Sequence, residues 1–126
     1  MALSRTTNRI ISTLRLLLAV VFGAAGATKL AGVPQMVQVF ELIGIGQWFR
    51  YVTGMVEIAG AALLLVPRAG FFGGLLLGVT MLFGTATHLL IIGGNPAPAI
   101  VLAVLCGFVA YRLRPGAALA RYRATR

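Results

Sequence analysis

An ionisable residue lies in the middle of an apolar segment that is long enough to cross a lipid bilayer. The segment runs from Arg50 to Arg68, and its carboxylate, Glu57, is one of only two acidic residues in the chain. A charged side chain near a bilayer centre costs about 3 kcal/mol on insertion scales, so it usually faces a helix-bundle interior and a partner. At about 100° per residue its helical stripe contains Arg50, Gly54, Glu57 and Ala61. This stripe is predicted to face protein rather than lipid.

The composition excludes a soluble domain. Hydrophobic residues make up 60% of the 126 residues and charged residues 10%, which is too little polar surface for a protein surrounded by water. The net charge of +9 comes mostly from arginines in the tails and beside apolar segments, without the basic face of a nucleic-acid-binding protein. The single Cys106 and the single His88 leave no disulfide and no cluster with metal-ligand spacing. We predict a membrane protein that contacts the lipid bilayer and binds neither metal nor nucleic acid.

Four apolar segments are candidates for membrane spans. We place these spans at residues 14–31, 49–66, 70–92 and 99–113. Residues 34–48 are too short and too polar to span, and Gln35, Gln38 and Glu41 share one side of this segment, which predicts a half-buried interfacial helix. The predicted fold is therefore all-α. It is a single domain over residues 1–126, a four-transmembrane-helix bundle with a short interfacial helix between the first and second spans.

Glycines recur along the third span at the spacing of a helix contact. Gly70, Gly74 and Gly78 follow one another every four residues, which lets two membrane helices pack backbone to backbone. The same helical angle leads on to Thr85 and His88, so we expect the histidine on the packed face. Whether the neighbouring helix belongs to this chain or to a second copy stays open, and a homo-oligomer is one of the two alternatives.

The distribution of arginines predicts the orientation. Cytoplasmic segments of membrane proteins carry an excess of Lys and Arg. With both tails and the Pro67-Arg68 turn inside, nine of the eleven basic residues are cytoplasmic, and only Lys29 and Arg50 lie opposite. We predict a protein of the plasma (inner) membrane with both termini cytoplasmic.

The first span has an alternative interpretation as a cleavable secretory signal. A basic start, an apolar segment and the small triplet Ala25-Gly26-Ala27 also fit such a signal. Lys29 favours a retained span, because it lies on the same helical stripe as Leu18 and Phe22 and so continues the helix past the cleavage position.

Helical rise brings the polar residues of different spans to similar depths. Counted at ~1.5 Å per residue from the cytoplasmic boundary, Lys29 lies at ~21 Å and Glu57 at ~15 Å, within side-chain reach of each other. Arg50 at ~26 Å, Thr85 at ~25 Å and His88 at ~30 Å lie higher by the same rise. The outer half of the bundle is therefore predicted to hold the cofactor-binding residues, which are Lys29, Arg50, Glu57, Thr85 and His88.

Lys29, Glu57 and His88 lie in this order on three successive spans, each among small or apolar residues. In this order and spacing, the chain resembles the DoxX family of small four-helix membrane proteins. The resemblance covers roughly residues 14–110 and is carried by Gly26-Ala27-Thr28-Lys29-Leu30, Phe40, Leu42 to Gly44, Glu57 with Gly60-Ala61, Pro67-Arg68, Met81 and His88. It implies a four-span bundle. Members of that family include membrane subunits of quinone-linked sulfur or thiol oxidation systems, partners of redox complexes, and assembly factors for other membrane proteins. This chain lacks the paired cysteines of the thiol-redox relatives, so direct disulfide chemistry is not expected.

Two functions stay open at this point. In the first, the protein is the membrane subunit of a redox-linked complex and binds quinone non-covalently beside Lys29, Glu57, Thr85 and His88, while a partner protein carries the metal or flavin. In the second, it is a non-enzymatic membrane chaperone or interaction protein whose buried charges only fix its fold. We favour the first. The sequence does not decide whether the chain has any activity alone.

The topology is directly testable. We expect residues 1–30 to remain on the mature protein, with reporter fusions at both termini reporting the cytoplasm, because the basic residues concentrate on that side. An extracytoplasmic N-terminus, or a mature chain beginning at Thr28, would contradict the four-span prediction.

Overall fold

In the computed structural model, which describes residues 2–116 and the side chains of residues 5–116, five α-helices follow one another along the chain. They are α1 (Ala2–Ala31), α2 (Pro34–Ile43), α3 (Trp48–Leu65), α4 (Gly70–Thr87) and α5 (Ala97–Leu113), and a π-helical segment, His88–Ile92, continues α4. The predicted all-α class is confirmed for these residues. The tail residues Arg121, Arg123 and Arg126, on which part of the orientation argument depends, lie outside the described residues.

Three helical segments are long and apolar enough to cross a membrane. They are Arg5–Ala31, Trp48–Leu65 and Gly70–Ile92. The last of them combines α4 with the π-helical segment, whose different winding the sequence did not predict. Helix α5 is a shorter apolar helix of 17 residues. Helix α1 starts well before the predicted span, at Ala2, because residues 2–13 contain no proline or glycine to interrupt it.

The long helices form a bundle in the cyclic order α1, α3, α4, α5. Helix α1 packs extensively on α3 and α4 on α5, while α3 and α4 share a smaller interface and α5 touches α1 only slightly. Helix α2 contacts α1, α3 and the π-helical segment. We call the end of the bundle that carries α2 the α2 end, and the end that carries the α3–α4 turn the turn end.

The apolar core fills the half of the bundle nearer the turn end. Its most deeply buried side chains are at most 2% exposed and come from all four long helices: Leu18, Phe22, Leu64, Leu77, Cys106 and Val109. Cys106 is fully buried among these residues and acts as a small apolar side chain. Large apolar side chains also cover the outside of the bundle, as at Leu16, Val20, Phe72, Leu82 and Leu90. This outer surface matches lipid rather than water.

The glycines of α4 hold the bundle together at close range. Gly70, Gly74 and Gly78 are all buried, as their spacing predicted. A Cβ on Gly74 would lie 2.9 Å from the carbonyl oxygen of Cys106, so the neighbouring helix is α5 of the same chain. At Gly78 the nearest atom would be 3.5 Å away, which is an ordinary contact. Gly73 was not among the predicted contact glycines, and a Cβ on it would lie 2.8 Å from the backbone of α3.

A glycine turn reverses the chain between α1 and α2. Gly32 has φ +71°, its amide donates to the carbonyl of Lys29 (3.3 Å), and the amide of Val33 donates to the carbonyl of Thr28 (3.2 Å). These two bonds form a Schellman motif, which satisfies the last carbonyls of α1. Pro34 then starts α2, where its missing amide hydrogen costs nothing.

Helix α2 has the two-sided character predicted for the interfacial segment. Gln35, Gln38 and Glu41 are exposed on one side, and Phe40 is buried on the other. The helix is only 10 residues long, because Gly44 at φ +87° ends it, and the remainder of the predicted segment 34–48 is a turn that leads into α3.

The two α4 glycines that face α5 differ in a way that mutation can measure. Gly74→Ala should lower the free energy of unfolding by about 1–3 kcal/mol, because the added methyl group overlaps the backbone of α5. Gly78→Ala should be neutral or stabilising by up to about 1 kcal/mol, because it gains helix propensity at ordinary contact distance. Thermal or denaturant unfolding in detergent measures both. Equal effects at the two positions would contradict the described α4–α5 packing.

Candidate functional site

The site begins with a backbone contact between α1 and α3. A Cβ on Gly26 would lie 2.7 Å from the carbonyl oxygen of Gly54, and a Cβ on Gly54 would lie 3.0 Å from the carbonyl oxygen of Gly26. Only glycines permit so close an approach of two helices. Because α1 and α3 run antiparallel, Lys29 lies one turn from this contact toward the α2 end and Glu57 one turn toward the turn end. Their side chains reach back across the contact to each other.

Lys29 and Glu57 form the ion pair expected from their depths. The Lys29 Nζ lies 3.0 Å from Oε1 and 3.1 Å from Oε2 of Glu57, so both carboxylate oxygens interact with the ammonium group. Glu57 is 2% exposed, whereas the Lys29 side chain is 15% exposed. The whole predicted stripe of α3, including Gly54 and Ala61, is buried against protein. Pairing makes the buried carboxylate tolerable, because an unpaired charge there would cost several kcal/mol.

Arg50 holds the end of α1 beside this pair. Its guanidinium donates to the carbonyl oxygen of Lys29 through Nη1 and to Oε1 of Gln47 through Nε (2.8 Å), and it lies 4.4 Å from the ring centre of Tyr51. Arg50 is only 5% exposed, so its guanidinium is buried against these partners. Because its donors contact the end of α1, Arg50 positions the Lys29 backbone and does not line the cavity described below.

Arg15 makes the corresponding contact at the turn end. Its Nε donates to the carbonyl of Leu64 and its Nη2 to the carbonyl of Val66, both at 2.8 Å, which satisfies the C-terminus of α3. A Cβ on Gly70 would lie 2.8 Å from this guanidinium, so that glycine makes room for the arginine. Arg15 was not predicted to contact α3. Its position on the same helical face as the buried Leu18 was the available signal.

A cavity of about 420 Å³ opens in the α2 end of the bundle, directly beside the ion pair. Its walls are mainly apolar. The lining residues are Lys29, Met36, Val39, Phe40, Ile43, Phe49, Thr53, Glu57, Thr80, Met81, Phe83, Gly84, Thr87, His88, Ile92, Ala99 and Leu102. Of the five predicted site residues, Lys29, Glu57 and His88 lie on this wall, and Arg50 and Thr85 do not.

Threonines other than Thr85 line the cavity. The Thr85 hydroxyl donates to the carbonyl of Met81 (2.8 Å) away from the cavity lining. Thr53, Thr80 and Thr87 line the wall instead, and each hydroxyl donates to the carbonyl four residues earlier at 2.8 Å. Their oxygen lone pairs remain available as acceptors. The signal that could have found two of them is the seven-residue spacing of Thr80 and Thr87 on one helical face.

His88 begins the π-helical segment at the edge of the cavity. Its Nδ1 lies 2.9 Å from the carbonyl oxygen of Gly93 in the turn that follows. It makes no hydrogen bond to Glu57, in agreement with its greater predicted height. Within the part of the chain that the structure describes, no three His, Cys, Asp or Glu side chains come close enough to hold a metal ion. The wall can instead offer a ligand a donor at Lys29 and acceptors elsewhere.

Comparison with known proteins confirms the family resemblance. A sequence model of the DoxX-like family matches residues 13–112, which include every cavity-lining residue. No curated protein and no solved structure matches the chain.

A double-mutant cycle measures the ion pair. Glu57→Gln should lower the free energy of unfolding by about 3–5 kcal/mol, because it leaves the Lys29 ammonium buried without a counter-ion. The double change Lys29→Met with Glu57→Leu should recover most of that loss, and the control Glu41→Gln, at the exposed second acid, should change it by less than about 0.5 kcal/mol. Unfolding in detergent provides the values. Additive effects of the two single changes would show that the residues do not interact.

Proposed function

The chain is a member of the DoxX-like family, and on that premise we propose that it is the membrane subunit of a redox-linked complex and binds a quinone in the cavity at the α2 end. The observation that carries this proposal is the cavity itself. About 420 Å³ of mainly apolar space, with an ion pair on one wall and a histidine at the edge, suits an aromatic ring with polar oxygen atoms.

The polar groups on the wall supply the means of holding such a ring. An ammonium group has three N–H donors. If each oxygen of Glu57 accepts one hydrogen bond from Lys29, two of these donors are used. The remaining donor of Lys29 is available to a ring oxygen. Met36, Phe40 and Met81 offer soft apolar and aromatic surface to the ring faces.

A lipid-soluble ligand also needs a way into the cavity from the membrane. Phe83 lines the cavity and is 71% exposed on the outer surface of α4. We propose that the cavity opens to the lipid beside this residue. A quinone dissolved in the bilayer could enter there without crossing an aqueous phase.

Electron transfer at this site requires a protein partner. The chain has one cysteine and one histidine, and its aromatic and aliphatic side chains carry no two-electron chemistry of their own. We propose that a partner subunit of the complex bears the metal or flavin group. The role of this chain is then to bind and orient the quinone.

We also propose that α5 crosses the membrane as the fourth span. Its 17 residues correspond to about 25 Å of helix, close to the roughly 30 Å of a bilayer's hydrocarbon core. Arg112 and Arg114 at its end continue the cytoplasmic excess of arginine. Four spans put both termini on the cytoplasmic side of the plasma (inner) membrane.

One observation favours the second function, a non-enzymatic chaperone or interaction protein. Both oxygens of Glu57 are already satisfied by Lys29 without any ligand. A pair complete in this way can simply fix the register of α1 on α3. Ligand binding decides between the two functions.

Filling the cavity should abolish quinone binding. Met81→Trp places an indole in the space that the ring would occupy, and we expect the affinity for a decyl-substituted benzoquinone to fall by about tenfold or more. The matched control is Leu82→Trp, at the next residue, which is 63% exposed on the outside of α4. Its affinity should stay within about twofold of the unsubstituted protein.

Equilibrium dialysis or calorimetry on protein in detergent or nanodiscs measures these affinities. Equal losses at Met81 and Leu82 would place the binding site elsewhere. No saturable binding by the unsubstituted protein would remove the quinone proposal and favour the interaction protein.

A further inference from the structure

His88 has a hydrogen-bonding state that its neighbours determine. Its Nδ1 lies 2.9 Å from the carbonyl oxygen of Gly93. A carbonyl oxygen can only accept, so Nδ1 must carry the hydrogen of this bond. In a neutral imidazole the other nitrogen, Nε2, then has a lone pair and accepts. Since His88 lines the cavity, Nε2 is the ring nitrogen available to a ligand there.

The local backbone maintains this arrangement. The π-helical segment starts at His88 and is followed by Gly93 and Gly94. These two glycines have φ +70° and +81°, a backbone conformation that residues other than glycine rarely adopt. This turn brings the Gly93 carbonyl back to the ring. The opposite tautomer would set the Nδ1 lone pair against the lone pairs of that carbonyl. Single π-helical turns are rare in proteins, and those that occur are often found at functional sites.

The rest of the wall has more acceptors than donors. The hydroxyl groups of Thr53, Thr80 and Thr87 donate to helix carbonyls, which leaves these residues only oxygen lone pairs for bonding a ligand. Lys29 has a donor to offer at the ion pair. A ligand that bonds both residues must therefore accept at Lys29 and donate at His88.

From this pattern we propose that the cavity selects the reduced, hydroxyl-bearing form of its ligand, a hydroquinone, and that His88 is the residue that sets this preference. The inference rests on the proposed quinone-binding function and adds the oxidation state. A hydroquinone hydroxyl both donates and accepts, so one can donate to Nε2 while the other accepts from Lys29. A quinone carbonyl only accepts, and at His88 it would leave two acceptors facing each other, which costs binding free energy.

Binding of a matched redox pair tests the preference. Under anaerobic conditions, the protein in detergent should bind a decyl-substituted hydroquinone about tenfold more tightly than the corresponding benzoquinone. In His88→Phe, which keeps a ring but removes the acceptor, the hydroquinone should lose its bond to Nε2 and the quinone should lose the repulsion, so that the two forms bind with similar affinity. The control Leu89→Phe, at a 66% exposed neighbour outside the cavity lining, should keep the ratio.

Each outcome has a distinct meaning. Saturable binding of both probes without a preference, or a preference that survives in His88→Phe, would overturn the role of His88 and leave quinone binding intact. Saturable binding of neither probe would overturn the proposed function, and this inference with it.

A second measurement does not depend on the folding of a variant. His88 is the only histidine in the chain, so protein labelled with ¹⁵N-histidine gives a single imidazole to observe by NMR. We expect a protonated Nδ1 and an unprotonated Nε2, and a change in the Nε2 signal when hydroquinone is added but not when quinone is added. A protonated Nε2 in the neutral ring would overturn the proposal.

Discussion

The ion pair between Lys29 and Glu57 is the interaction on which the rest of the structure depends. A carboxylate inside a membrane bundle must have a partner, and here both of its oxygens lie within 3.1 Å of one ammonium group. The same two helices, α1 and α3, also approach each other closely at their backbones. The contact between Gly26 and Gly54 provides the approach one turn away. The Lys29–Glu57 ion pair, the small residues beside it and the close packing of α1 on α3 therefore occur at the same contact.

Two arginines extend this constraint along the whole α1–α3 pair. Arg50, at the start of α3, donates to a carbonyl near the end of α1, and Arg15, on α1, donates to the last carbonyls of α3. Helix C-termini leave carbonyls without partners, and lipid cannot satisfy them. Each helix therefore caps the other. This reciprocal capping buries the charge of Arg50 and leaves that of Arg15 half-buried.

One half of the bundle is a packed apolar core, and the other half contains a cavity. Near the turn end, apolar side chains such as Phe22, Leu77 and Cys106 form a buried core, and the α4 glycines bring α3 and α5 close. Near the α2 end the four-helix core does not continue. There α2 packs against the π-helical segment, and a cavity lies among these elements and the ends of the long helices. A rigid half of this kind can hold a ligand-sized space open in the other half, because its close-packed side chains resist collapse.

The sequence by itself determined the helical class, the membrane environment, the two-sided α2, the buried stripe of Glu57 and its pairing with Lys29, since periodicity and the cost of charge in lipid leave few alternatives. Only the tertiary structure decided where the remaining polar side chains go. Whether Arg50 lines a cavity or caps a helix, and whether Thr85 or Thr80 faces a ligand, depends on how the packed helices are rotated about their axes. Sequence periodicity does not fix such rotations. The π-helical turn at His88 likewise follows from contacts with α2 and the Gly93 carbonyl, which lie beyond any local pattern.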